Sequence, residues 1–406
     1  MTARPIDEPH RTATQLELFF DLTFVVAIAA LTSRFAHALE DGHALDALVP
    51  FLQVFFAVWW AWMNHTWFAS SFDTDDVAFR LLTLVQMGGV LVLAAGVPAA
   101  LDDNDYGAVT LGYLIMRLGL ITQWLRAAYE DPRSRRTALR YAAGIGVAQV
   151  AWLLRLALAD SLSEDALLAV FLVLVAFELC VPLWAERARP TSWHAHHIAE
   201  RYGLFAIILL GESVLAACVG VQRALAAEGV SLPLVGIGVA ALVLVFALWW
   251  LYFLQPIGDG LASSRDRSYV WGYGHYGVFA ALALIGAGLE AAVAGSGEHV
   301  AASTTAIGYA VALPVAAFLT LVWALHVPLI TRPVLRPSVL LGGAAAVLLV
   351  PAVPHIPLVA LIAGIALICA VVVAATIALD QVAIMHLGND DYSAASLGPG
   401  RPAERA

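Results

Sequence analysis

The chain contains no lysine: all 21 of its basic residues are arginine. That absence excludes a Schiff base on a lysine amine, which retinal and pyridoxal proteins need, and a Walker A phosphate loop. Cysteine is scarce too. Cys180, Cys218 and Cys369 all fall in apolar stretches, where a thiol packs as a small hydrophobe, and they offer neither a disulfide framework nor zinc spacing. Charged residues make up only 13% of the chain against 61% hydrophobic, far outside the range of a soluble domain. The net charge of −10 is dispersed over short loops and helix ends, so no acidic docking surface is implied and no nucleic-acid partner is expected. The opening residues, MTARPIDEPHRTATQ, lack the apolar core and small-residue cleavage site of a secretory signal, so the first helix is expected to be retained.

What is abundant is apolar sequence in lengths that suit a bilayer, about 20 residues each. Such runs fall at 16–39, 46–70, 77–100, 107–129, 136–159 and 164–185, and then at 200–222, 231–255, 269–294, 301–327, 335–353 and 355–380. DDND at 102–105, DPRSRR at 131–136, GSGE at 295–298 and PHIP at 354–357 supply turn chemistry between them. The expected fold is all-α, a polytopic membrane protein of about twelve transmembrane helices. With the N-terminus in the cytoplasm, every arginine except Arg34, Arg117, Arg155 and Arg223 falls on the cytoplasmic side. Basic loops stay inside, which favours cytoplasmic N- and C-termini in the inner membrane. No loop has room for a soluble catalytic domain, so no enzyme activity and no cofactor is expected.

The two halves resemble each other. FFAVWWAW at 55–62 aligns with VFALWWLY at 245–252, which places Trp59 and Trp60 on Trp249 and Trp250, Trp62 on Tyr252 and His65 on Gln255. Gly112-Tyr113 pairs with Gly308-Tyr309, and RTALR from Arg136 pairs with RPVLR from Arg332. An even repeat enters the membrane twice from the same side, so two parallel six-helix repeats are expected. They would span 16–185 and 200–380, with a cytoplasmic segment at 1–15, a linker at 186–199 and a disordered cytoplasmic tail at 381–406. Taken singly, the Trp pairs also fit interfacial aromatic belts.

Ionisable residues within these runs are costly in lipid and must face the bundle interior. Glu17 and Asp21 are four apart and share a helical face. Glu17 corresponds to Glu200 at the head of the second repeat, and Arg201 and Glu212 also share a face. Arg117 lies near the middle of the fourth run and must be neutralised by a neighbour. The expectation is a contact with Asp21, joining the first and fourth helices, while Glu212, having no matching Arg, is expected to be protonated by desolvation, either as a group that binds a cation or shuttles a proton or, alternatively, as a neutral hydrogen-bonding acid that only holds helices together. His65 is read either as a pH-sensitive gate or as an amphipathic anchor near an interface. His194, His196 and His197 in SWHAHH are expected in a wet loop and do not form a closed metal-ligand set.

Three stretches carry a family resemblance: ELFFDLTFVVAIAAL at 17–31, WWAW with FDTDD at 72–76 and Arg80, and HIAERYGLFAIILLGES at 197–213. Together they resemble the bacterial low temperature requirement A family. The resemblance implies a cytoplasmic-membrane protein associated with growth in the cold and brings no catalytic residues. It singles out Glu17, Phe20, Asp21, Trp60, Asp73, Arg80, His197, Glu200, Arg201, Gly203, Gly211 and Glu212 as signature positions. FFDLTFVVAI at 19–28 is also similar to the Phe-Ser-Asp signature of a class of endolysosomal and bacterial potassium channels, with Phe20 in place of the Ser and no Asp in the second copy.

The functional expectation is a channel or transporter for a small cation or proton, lined by Glu17, Asp21, His65, Arg117, Glu200, Arg201 and Glu212. The alternative is a non-transport membrane protein in which the same charges act as interhelical glue and the bilayer is the partner. An enzyme acting on lipid has least support, because no nucleophile–base pair or HExxH spacing occurs.

Overall fold

The computed structural model describes residues 1–6, 8, 11–227, 231–296, 300–330 and 334–396, with backbone alone at 220, 223–227 and 382–396. In hydrocarbon every backbone N–H and C=O must be satisfied within the segment. The described residues do this with α-helices and short 3-10 turns, and contain no strand. In chain order the helices are α1 (Gln15–Glu40), α2 (Ala44–Phe72), α3 (Val77–Ala95), α4 (Val97–Asp102), α5 (Gly107–Glu130), α6 (Arg135–Ala157) and α7 (Glu164–Glu186). There follow α8 (Ala195–Ala227), α9 (Leu232–Phe253), α10 (Gly258–Ser263), α11 (Ser268–Ala294), α12 (Thr304–His326), α13 (Pro337–Leu349) and α14 (Leu358–Ser396).

Among the described residues eleven spans are long and apolar enough to cross a membrane. The run expected at 335–353 is shorter: α13 and its 3-10 extension cover Pro337–Ala352. That is roughly 25 Å of helix against about 30 Å of hydrocarbon. Pro351 and Pro354 stop it from continuing. The run expected at 77–100 divides at Gly96 into α3 and α4, with Pro98 in the first turn of α4. Helix α8 starts earlier than expected, because the His194 ring accepts a bond from the His197 backbone N–H at 3.3 Å and caps it. The last helix continues to Ser396, past the expected end at 380. Arg332, Arg401, Arg405, Gly297 and Glu298 lie outside the described residues.

Packing runs mostly between helices close in the chain. Helix α3 packs on α1 and α5, and α5 on α6; α11 packs on α8 and α12, and α12 on α13. One close crossing is made by glycine: a Cβ on Gly112 would fall 2.3 Å from the Leu93 backbone nitrogen and 2.5 Å from the Gly89 carbonyl, so α3 and α5 touch backbone to backbone. The matched tryptophans differ in setting. Trp59 and Trp60 are buried, whereas Trp249 and Trp250 are each 46% exposed. Most residues of α11 are buried and most of α7 are not, so α11 is the centre of the bundle and α7 its rim. Helix α1 lies against α2, α3, α8 and α11, and that seam holds the densest group of buried charges.

Candidate functional site

The first turn of α1 explains one of its two carboxylates locally. Thr14 caps the helix by accepting from the Glu17 N–H at 3.3 Å, and the Glu17 carboxylate returns a bond to the Thr14 N–H at 2.8 Å. This capping box satisfies two otherwise orphaned donors. Glu17 is nevertheless 1% exposed, and its other oxygen faces a cluster of charges. Oε1 lies 2.9 Å from Nη1 of Arg201, 3.1 Å from Nε2 of His197 and 3.5 Å from Nη2 of Arg11.

One turn deeper, Asp21 receives both arms of the Arg201 guanidinium, Nε to Oδ2 at 3.0 Å and Nη2 to Oδ1 at 2.6 Å. Such a bidentate pair fixes geometry as well as charge. The Trp62 indole N–H donates to Asp21 Oδ1 at 2.7 Å. Arg201 is therefore the hub, fully buried on α8 and bridging both acids of α1.

Toward the chain's N-terminal face the cluster continues through Arg11, whose Nη2 lies 3.6 Å from Oδ2 of Asp73, just past the end of α2. Burial pushes the Asp73 carboxyl up to about 6, aided by the negative charge of Glu17 and opposed by the Asp75 N–H and by Arg11 and Arg4. Among the described residues the cluster sets three carboxylates, Glu17, Asp21 and Asp73, against two guanidiniums, Arg11 and Arg201. One negative charge is in excess when His197 is neutral.

Arg117 does not meet Asp21. It forms an ion pair with Glu178 of α7, to which it also donates a hydrogen bond. The physical reason is lateral packing: α5 runs along α3 and α6, while Asp21 is already held by Arg201. Glu178 is clamped further by Trp60 Nε1 at 2.6 Å, Tyr113 Oη at 2.8 Å and Trp152 Nε1 at 3.0 Å. The Arg117 guanidinium also lies 5.3 Å from the Tyr113 ring centroid, within cation–π range. Arg117 and Glu178 are each 1% exposed.

The remaining sequence candidates scatter. His65 is fully buried and lies against Phe20, ring centroids 4.1 Å apart and planes tilted by 37°, with Gln123 as its polar neighbour; it is no interfacial anchor. His197 is fully buried on α8 rather than in a wet loop, whereas His196 is exposed and 3.4 Å from Asp259. Glu200 is exposed and accepts from the Ala13 N–H at 3.2 Å, so it stands outside the cluster. Glu212 lies deeper on α8, 6% exposed, with Oε2 unpartnered and Glu290 of α11 as its electrostatic neighbour. Arg80 pairs with Asp75 on the surface. Gly203 faces the Phe253 ring, while Gly211 has open space beside it.

Sequence reasoning missed Glu178, although a lone acid in VFLVLVAFELCV at 170–181 was a visible signal. It also missed His275 and His326, fully or nearly fully buried, with rings 5.9 Å apart. Among the described residues no group of three or more His, Cys, Asp or Glu side chains could hold a metal ion.

Comparison with known proteins adds three findings. The sequence profile of the bacterial low temperature requirement A protein family matches residues 12–376, nearly the whole chain. An uncharacterized protein of Rhizobium meliloti (strain 1021) is 29% identical over 279 residues, covering 64% of this chain and 64% of the relative's own length. No solved structure matches.

Proposed function

The chain belongs to the bacterial low temperature requirement A family, and on that premise we propose that it is a membrane channel or transporter that passes a small cation, in the first instance the proton, through its helical bundle. One observation carries the reading. Among the described residues the buried cluster around α1 and α8 sets Glu17, Asp21 and Asp73 against Arg11 and Arg201, one carboxylate more than it has guanidiniums, and His197 sits 3.1 Å from one of those carboxylates. A desolvated surplus charge is costly unless neutralised, and a proton on His197 or a carboxylate, or a bound cation, would neutralise it. Arg11 and Asp73 lead from the cluster to the N-terminal face.

We place that face in the cytoplasm of a cell with the chain in its inner membrane, since most arginines gather there, and we read the halves as two copies of one six-helix unit. The reading involves no catalysis. The closed Arg117–Glu178 pair favours a second reading, a non-transport protein supporting growth in the cold, because that pair is glue with nothing left over.

The test is flux in proteoliposomes under an imposed pH gradient, with sodium and potassium gradients as further arms. Flux that Asp21→Asn abolishes in a folded protein supports transport. Absence of flux under every gradient sinks it.

A further inference from the structure

A cleft of about 460 Å³ opens between α8, α9, α10 and α11, at the end of the bundle where α8 and α11 begin and α12 finishes. Its polar lining includes, at those helix ends, Glu200 near the start of α8, Trp271 in the first turn of α11 and His326 as the last residue of α12, beside His196, Tyr252 and Gln255. Its apolar lining, Leu204 and Ile207, continues one and two turns deeper along α8, with Phe253 opposite on α9. The wall opens toward the lipid side, since Ile207 is 47% exposed.

Two of the polar groups are unfinished. Trp271 and His326 are 2% and 1% exposed, yet the indole N–H and both imidazole nitrogens have no hydrogen-bond partner. Buried donors left unmade are costly and are ordinarily satisfied by something. The acid on the rim is Glu200, exposed, while the neighbouring rim residue His196 is 3.4 Å from Asp259 of α10. Unpartnered donors within, acid at the rim and an apolar track running down the membrane together describe a zwitterionic amphiphile.

We propose that this cleft binds one phospholipid with a primary ammonium headgroup. The ammonium sits at Glu200, the phosphate accepts from Trp271 Nε1–H and an N–H of His326, and one acyl chain lies along Leu204, Ile207 and Phe253. Phosphatidylcholine offers no N–H to Glu200. Phosphatidylglycerol offers no cation and is repelled by the rim. Neither Glu17 nor Asp21 lines the cleft, so the assignment stands or falls apart from any flux.

The experiment is native mass spectrometry of the full chain released from phosphatidylcholine nanodiscs doped with phosphatidylethanolamine, with phosphatidylglycerol, or with water-soluble phosphoethanolamine. Retention of one phosphatidylethanolamine in preference to the others is expected. Trp271→Phe, which keeps the ring and removes the donor, should weaken that retention about tenfold, and Glu200→Gln, at an exposed position that does not threaten folding, should erase the preference over phosphatidylcholine. Thermal melting in lipid-free detergent verifies that both variants are folded. Equal retention of all lipids overturns the proposal, as does a preference that survives both substitutions. Equal retention of phosphoethanolamine overturns the lipid as occupant.

Discussion

Two arginines buried within helices, Arg117 on α5 and Arg201 on α8, meet carboxylates in opposite styles. Arg117 has one acid, Glu178, and that acid is enclosed by Trp60, Tyr113 and Trp152, so every group around it is a donor that cannot titrate near neutral pH. Arg201 has two acids, Glu17 and Asp21, and they adjoin His197, Arg11 and Asp73, a chain of ionisable groups reaching the N-terminal face. A closed pair has no way to exchange a proton, whereas an open cluster with a surplus acid does. The same chemical contact is therefore assigned to holding helices in one place and to moving charge in the other.

The largest effect should come from breaking the closed pair. Arg117→Leu leaves Glu178 as an uncompensated buried charge and should cost about 3–5 kcal/mol of folding stability. Arg117→Leu with Glu178→Leu should recover most of that loss, because a buried pair exchanged for apolar side chains is often neutral. Reversible unfolding in mixed detergent measures both. A double variant as unstable as the single one would show that Glu178 is not what Arg117 neutralises. The double variant should also keep whatever flux the wild type shows.

Asp21→Asn is the matching change in the open cluster. Asparagine keeps an oxygen for Arg201 and Trp62 but gives up the charge, so stability should fall by about 1.5–3 kcal/mol, the worth of a hydrogen bond to a charged group. Flux should vanish outright. Stability loss with flux intact would move the conducting role away from Asp21.

Much of this contrast was open to sequence reading and part was not. The helices were legible because a bilayer imposes both length and apolarity, and Glu17, Asp21, Arg201 and His197 stood out as ionisable residues in or beside apolar runs. Partner choice was not. Arg117 and Asp21 differ little enough in depth for a long side chain to connect them, and only lateral packing, which periodicity does not encode, puts α7 rather than α1 within reach of Arg117. Helix starts were misjudged where an imidazole, outside the usual set of capping residues, does the capping at His194. The tryptophan pairs at 59–60 and 249–250 share their local sequence, yet α2 is enclosed and the outer face of α9 is not, so similar sequence acquired unequal burial.

The mouth of the cluster sharpens the comparison through pH. The Asp73 carboxyl is raised by burial to about 6 from an unfolded value near 3.8. The folded state thus binds the proton more tightly, so this contribution is complete below about pH 4 and is lost as pH rises through about 6. It amounts to about 3 kcal/mol. Between pH 5 and 7.5 wild type should lose stability that Asp73→Asn does not lose, as read from melting temperatures at each pH. Parallel profiles would place the titrating group elsewhere.

The smallest effect comes from removing one indole donor on each side. Trp62→Phe deprives Asp21 of a single N–H while Arg201 still grips both of its oxygens, and Trp152→Phe deprives Glu178 of one donor among four. In each case an aromatic ring remains to fill the space, so the stability cost should be about 1 kcal/mol and alike for the two. The functional outcomes should diverge. The Trp62 bond falls on a carboxylate that would have to change partners during a transport cycle, so losing it should change the flux rate several-fold. The Trp152 bond falls on a carboxylate that never changes partners, and its loss should leave the rate per folded molecule unaltered. Because the two substitutions match in chemistry, size and stability cost, a difference in rate isolates the openness of the Arg201 cluster as its cause. Equal rates would reduce both arginine sites to the same structural role and remove the ground for treating α1 and α8 as the working seam.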